Sequence, residues 1–447
     1  MKRRDFLKIS GAAALAAACA PKDARSKSGM TEGPEQMTYR ENPLNGDVVS
    51  LLGFGCMRWP MIKDASGKDI IDQEAVNEMV DYAIAHGVNY FDTSPAYLQG
   101  QSEKAAGIAL SRHPRSSYFI ATKLSNFGDQ SPKASLEMYK NSFKQLNTEY
   151  FDYYLLHSIG RGGKDAFNQR YVDNGMLDFL RGEKTAGRIR NLGFSFHGAK
   201  HEFDYFMELH DSGQMQWDFV QIEMNYVDWK HADGVRNVNA DYLYAELDKR
   251  GLPIVIMEPL LGGRLANVPA GIARQMKERE PLQSIASWAF RFCGSYPRVL
   301  CTLSGMTNMD PLLDNIKTFG HFKPLTEEEL GFLEQMAVQM MEYPLVNCTD
   351  CKYCMPCPWG IDIPGTFQHY NRAVTEGTYA QSTEQKNYAK LKKAYLVSYD
   401  RAVPTVRQAD HCIACGECLK HCPQHIAIPD KMRMIEDYTN TLKDSLV

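Results

Sequence analysis

Phe151-Asp152-Tyr153-Tyr154-Leu155-Leu156-His157 is a run of strand length that is apolar almost throughout and ends on a titratable ring. A strand that alternates apolar and polar residues keeps one face in water. One that does not alternate is buried on both faces, as in a parallel sheet covered by helices. Seven further runs share the pattern, at 51–55, 90–93, 118–123, 191–196, 219–224, 253–258 and 299–304. Between them lie segments long enough for helices, among them 73–86, 133–146, 240–250 and 281–292. Eight strand–helix units predict an α/β fold, a (β/α)8 TIM barrel, in preference to an open sheet. A doubly wound sheet would carry a glycine-rich fingerprint after its first strand, and Leu52-Gly53-Phe54-Gly55 is too short to be one.

Function in such a barrel belongs to the C-terminal ends of the strands. Those ends carry Asp92, Lys123 and His157, with Tyr97 in the loop after Asp92. A phenol has an ordinary pKa of about 10 and is a poor acid at neutral pH. A neighbouring Lys123 ammonium would lower that value, Asp92 would hold the ammonium in place, and His157 would donate to a substrate oxygen. Together they would make a proton donor beside a polarised carbonyl, suited to a hydride arriving on carbon.

The stretches Gly87-Val88-Asn89-Tyr90-Phe91-Asp92-Thr93-Ser94-Pro95-Ala96-Tyr97, Ile120-Ala121-Thr122-Lys123 and Asp152-Tyr153-Tyr154-Leu155-Leu156-His157 resemble the aldo-keto reductases. The resemblance runs to about residue 320 and implies Asp92, Tyr97, Lys123 and His157 as catalytic residues, with Tyr97 the acid/base. It also implies NAD(P)H as cofactor. Ser195 and Gln221 match positions that hold the carboxamide, whereas Phe196 stands where an asparagine is usual. Met257, followed by Glu258, Pro259 and Leu260, takes the place of a ring-stacking tyrosine. The phosphate-binding strand and helix match residues 303–307 through Asp314 and Asn315. Gly305 and Pro311 replace the Lys and Arg that grip a 2′-phosphate, which removes charge-assisted contacts and leaves NADH against NADPH open.

Eight of the 12 cysteines form two short runs. Cys348, Cys351, Cys354 and Cys357-Pro358 give C-x2-C-x2-C-x2-C-P; Cys412, Cys415, Cys418 and Cys422-Pro423 give C-x2-C-x2-C-x3-C-P, the bacterial ferredoxin run. The last Cys-Pro of each run directs its sulfur to the other cluster. One [4Fe–4S] cluster is then expected on Cys348, Cys351, Cys354 and Cys422, and a second on Cys412, Cys415, Cys418 and Cys357. Residues 358–364 are echoed by 423–429, each ending Ile-x-Ile-Pro, which reads as a repeated strand of a small α+β ferredoxin-like domain with a helix-rich insertion at 365–411. Zinc would more often use two C-x2-C pairs across a longer spacer, and cysteines three apart pair poorly as disulfides. Cys56, Cys293 and Cys301 read as small buried residues, Trp59, Trp288 and Trp359 as core or pocket-wall aromatics, and His197 and His201 as loop or cap residues.

The start of the chain is an address. Arg3-Arg4 ahead of Phe6-Leu7-Lys8 and a short small-residue apolar stretch resemble the twin-arginine export signal, which carries folded proteins. Cleavage near Ala18 and acylation at Cys19, giving a lipid anchor, are alternatives there. The expected order is a signal at 1–20, a linker at 21–47, the barrel at 48–342 and the iron–sulfur domain at 343–447, placed in the periplasm or anchored on that side of the membrane. With 50 Lys+Arg against 54 Asp+Glu the net charge is −4, so nothing draws the chain to nucleic acid. The reading that follows is an oxidoreductase acting on a small carbonyl or alcohol substrate, coupled to the clusters and to a redox protein partner. Its alternatives are an electron-transfer protein whose barrel is a docking scaffold, and clusters that serve as structural pins.

Overall fold

A computed structural model describes residues 37–232, 237–320 and 322–445. The expected signal, Cys19 and the linker as far as residue 36 lie outside these. Eight parallel strands close into a barrel: β1 (Leu52–Gly55), β2 (Tyr90–Asp92), β3 (Phe119–Leu124), β4 (Phe151–Ile159), β5 (Ile189–Phe196), β6 (Val220–Glu223), β7 (Ile254–Met257) and β8 (Val299–Ser304). Each pairs with the next, and β8 returns to β1 through Thr302 opposite Leu52. Helices cover the outside, including Gln73–Ala85, Pro132–Leu146, Ala240–Lys249 and Ile285–Gly294.

Side chains of alternating parity divide between two cores. Phe91, Ile120, Tyr154 and Leu156 pack outward against the helices. Tyr90, Ala121, Tyr153, Leu155, Phe219 and Val255 fill the barrel interior. Gly53 makes this filling feasible, because a Cβ there would sit 2.5 Å from the Cys301 Sγ. Cys56, Cys293 and Cys301 are all buried, as are Trp59 and Trp288.

Tyr39–Glu41, expected in a linker, instead pairs antiparallel with Val48–Ser50. Arg40 donates to the carbonyl oxygens of Gly294, Tyr296 and Val299, and Val49 enters the interior core, so this ribbon closes the barrel end opposite the site.

The C-terminal part of the same compact unit has its own core, in which Tyr370, Tyr395, Tyr399, Met432 and Ile435 meet. The two Ile-x-Ile-Pro segments are not strands. Ile363–Thr375 and Ile428–Asp444 are helices, and Pro364 and Pro429 occupy their first turns, where a missing N–H costs nothing. Asp362 caps the first of them by accepting from Gly365 N at 3.1 Å. The insertion between the cysteine runs is helical, as expected, with a further helix at Tyr388–Ala402.

Candidate active site and cysteine cavities

The interior parity of Tyr90, Ala121, Tyr153, Gly193, Phe219 and Val255 carries two residues further along each strand. It therefore brings Asp92, Lys123, Leu155 and then His157, Ser195, Gln221 and Met257 toward the barrel axis. Lys123 Nζ donates to Asp92 Oδ1 at 2.5 Å and to the Thr93 carbonyl at 2.9 Å. The same ammonium lies 5.0 Å from the Tyr97 ring centroid, and the Tyr97 and His157 rings meet edge to face at 5.9 Å. The four polar groups expected to work together are thus together. Ser125 Oγ lies 2.5 Å from His157 Nδ1 and Ser94 Oγ 3.3 Å from it, two orienting hydroxyls that the sequence did not single out.

Burial dominates the electrostatics. It pushes Asp92 up and Lys123 down, and their mutual contact opposes both shifts. Burial holds the His157 imidazole well below its ordinary value, with Lys123 and Arg170 adding to the effect, so the ring is neutral. The expected lowering of Tyr97 is not found. Burial raises it well above 10, and Asp92, Tyr353 and Glu258 push in the same direction. Lys123 does not offset this because Asp92 already neutralises it.

A cavity of about 410 Å³ opens from this cluster. Of the expected nucleotide contacts, Ser195, Gln221, Met257, Pro259, Leu260 and Gly305 line it. Gln221 also donates to Asp92 Oδ2 at 3.3 Å, and Ser195 Oγ accepts from Ser158 N at 2.8 Å. Asp314 and Asn315 are not part of the wall: Asn315 turns inward to donate to Ser304 Oγ at 2.8 Å.

The remaining wall comes from residues not foreseen. Glu223, Glu258 and His197 face the cavity, and Glu258 stands at φ +54° with its carboxylate accepting from Gly262 N at 2.7 Å. His197 Nδ1 lies 3.4 Å from Glu223 Oε1, and burial pushes that imidazole down to about 3. Thr349, Cys351 and Tyr353 of the first cysteine run cover the cavity from above. Tyr353 packs its ring 6.4 Å from that of His157 and 6.2 Å from that of Phe127. Gly262 permits this approach: at φ +70°, a Cβ on it would lie 2.3 Å from Thr349 Cα. Arg58 bridges the same loop, donating to the Thr349 carbonyl at 2.5 Å and pairing with Asp350 at 3.2 Å, while its stem lies against Gly305.

The eight C-terminal cysteines surround two small cavities. Cys348, Cys351, Cys354 and Cys422 line the first, and Cys357, Cys412, Cys415 and Cys418 the second. Ile363 and Ile428 stand between them, lining both. This is the partition expected from the Cys-Pro ends. The sulfurs bound a space instead of converging on a point, and no group of three or more among the described residues is placed to hold a single metal ion. Burial pushes Cys348 and Cys351 up to about 12 and Cys418 up to about 11. Thiols so placed ionise only beside a compensating positive charge, which the iron of a cluster supplies. The donor set, the cavity and the apolar surround fit an iron–sulfur cluster. Trp359 lines the second cavity yet is 55% exposed, so it is not a core residue.

Residues 51–337 match the aldo/keto reductase family, 347–427 the 4Fe-4S dicluster domain and 1–19 the twin-arginine translocation pathway signal sequence. Probable aldo-keto reductase 1 of Glycine max is 32% identical over 122 residues, which span 26% of this chain and about a third (34%) of that relative. Protein tas of Escherichia coli is 26% identical over 366 residues, covering 69% of this chain and 99% of its own. A Klebsiella pneumoniae aldo-keto reductase solved in complex with NADPH aligns at a TM-score of 0.51 and 19% identity, covering 68% of this chain and 95% of that one.

Proposed function

Because the chain belongs to the aldo/keto reductase family and carries a 4Fe-4S dicluster domain after its barrel, we propose that it interconverts a small carbonyl compound and its alcohol by hydride transfer, coupled to two [4Fe–4S] clusters. The barrel, 48–342, performs the chemistry and residues 343–447 hold the clusters. Cys348, Cys351, Cys354 and Cys422 hold one, and Cys357, Cys412, Cys415 and Cys418 the other. NAD(P)H, when bound, would supply a hydride, and the clusters, when loaded, would carry single electrons. Passing one hydride's electrons to the clusters takes two one-electron steps, through an intermediary or a radical, and releases one proton.

The chain's own groups handle oxygen. Ser125 Oγ lies 2.5 Å from His157 Nδ1. In the tautomer this reading uses, that hydroxyl donates to Nδ1 and the ring hydrogen on Nε2 donates to the substrate carbonyl. As carbon gains the hydride, the oxygen becomes an alkoxide more basic than a phenolate, and the Tyr97 O–H gives up its proton to it. Burial keeps Tyr97 protonated until that moment. Asp92 holds Lys123 in place over the Tyr97 ring, 5.0 Å from its centroid. Ser195, Gln221 and Met257 would hold the nicotinamide, and Pro259, Leu260 and Gly305 line the same cavity.

One observation carries the coupling: Thr349, Cys351 and Gln424 line both the catalytic cavity and the first cysteine cavity. A docking scaffold or a remote structural pin would need no common wall. The twin-arginine signal supports export of the folded, loaded protein to the periplasmic side. A redox protein as electron partner, and either cleavage near Ala18 or acylation at Cys19, complete the reading.

Anaerobic titration of the iron-replete protein with NADH and then NADPH, followed by the visible cluster absorption, tests the coupling. Bleaching by a nucleotide is expected. Bleaching by dithionite alone would remove nucleotide-to-cluster transfer from this reading. Tyr97→Phe should abolish carbonyl turnover, and unchanged turnover would remove Tyr97 as the acid.

A further inference from the structure

The two cysteine cavities differ in the charges that the rest of the protein directs at them. Three guanidinium groups from barrel loops grip the backbone and side chains that flank the first set. Arg58 reaches Thr349 and Asp350, between Cys348 and Cys351. Arg264 donates to Asn347 Oδ1 at 2.9 Å, next to Cys348. Arg161 donates to the Lys420 carbonyl, two residues before Cys422. Arg58 is offset by its ion pair with Asp350, but the bonds made by Arg161 and Arg264 end on uncharged oxygens. Asp228 also acts on Arg264 and is itself held by Asn225 Nδ2 at 2.7 Å. Burial lowers the pKa of both arginines; Tyr353, Cys351 and Cys422 oppose that shift for Arg161, and Asp228, Cys348 and Tyr226 oppose it for Arg264.

The second set has no such cradle. Its Cys418 is influenced by Cys412, Cys415 and Cys357. The nearby cations lie in water: Lys420 is tied to Glu417 at 2.6 Å, and exposed Arg407 donates to the Gly360 carbonyl at 3.1 Å. Solvent and salt screen charges of this kind.

Reduction adds one electron to a cluster, with no bond broken and no proton required, so its potential follows nearby charge, hydrogen bonding and exposure. Burial alone would disfavour the added charge on the inner cluster. That charge is spread over many iron and sulfur atoms, which softens the desolvation cost, whereas a guanidinium in a protein wall is screened less than one in water. Resting on the two-cluster reading above, we propose that Arg161 and Arg264 raise the potential of the cluster on Cys348, Cys351, Cys354 and Cys422 above that of its neighbour. Electrons therefore come to rest against the catalytic cavity and not beside exposed Cys415.

The test is a dithionite titration of the full iron-replete chain at controlled potential, followed by low-temperature electron paramagnetic resonance. Cys415→Ser identifies the outer cluster's signal by altering its line shape. Arg161→Gln and Arg264→Gln should each shift the inner cluster's reduction equilibrium downward by about tenfold, about 59 mV for one electron. Arg161→Lys and Arg264→Lys should restore most of that shift, and Arg407→Gln should move neither signal. An outer cluster of higher potential, or an inner midpoint unmoved by both glutamine variants, overturns the proposal. Fewer than two clusters by iron and sulfide content overturns the two-cluster reading instead.

Discussion

At one end of the central cavity, Asp92, Lys123 and His157 stand on three adjacent strands, and the pleat that buries Tyr90, Ala121 and Tyr153 also aims them inward. At the other end, Gly305 and Pro311 offer a phosphate no charge, and the surroundings are Glu258, Arg58 and a loop from another part of the chain. Strand-borne groups inherit their geometry from the sheet, so their placement is fixed wherever the barrel closes. Loop-borne groups can be rebuilt without disturbing the barrel.

Lys123→Met attacks the strand-built end and should have the largest effect. Turnover should fall by about 10²–10⁴-fold, and stability by about 3–5 kcal/mol, because Asp92 is left buried and unpaired. Denaturant melts would show the double variant Asp92→Asn, Lys123→Met regaining stability without regaining activity. Recovery of both would mean that the pair is structural only. At the loop-built end, Gly262→Ala places a Cβ against Thr349 Cα in a left-handed conformation. It should cost about 1–3 kcal/mol and disturb the resonance spectrum of the inner cluster while sparing the outer.

Glu258→Gln keeps an acceptor for Gly262 N and, if the proposed dinucleotide fills the cavity, removes a carboxylate from its wall. Nucleotide affinity measured by fluorescence should rise about fivefold to tenfold, equivalent to about 1–1.4 kcal/mol. No change would place the dinucleotide's diphosphate elsewhere. The smallest effect is one of position along the pH axis. Reduction needs protonated Tyr97, and because burial raises that group, the alkaline limb of kcat should lie above pH 10. A limb between about 7 and 9 would restore the Lys-tuned phenol expected from the sequence.

What could be read beforehand followed from local rules. Period and strand ends placed Asp92, Lys123 and His157, with Tyr97 in the loop after the first of them, and cysteine spacing together with the Cys-Pro ends gave the grouping that the two cavities display. What escaped depended on distant contacts. Tyr353 is one residue from Cys354, yet nothing in that spacing says the loop folds back over His157. The Ile-x-Ile-Pro echoes favour strands by their β-branched residues; Asp362 as a cap with Pro364 in the first turn was the opposing signal. Tyr97 illustrates a third kind of miss, since a lysine in the sequence says nothing about the carboxylate already bound to it.

The seating of Thr349 on Gly262 also bears on how such a protein can change over generations. A fused domain is ordinarily a detachable module, free to be lost or exchanged while its neighbour keeps working. Here part of the barrel cavity's wall comes from the appended segment. Cutting the chain after residue 342 should therefore leave that cavity without the wall that Thr349, Cys351 and Tyr353 supply.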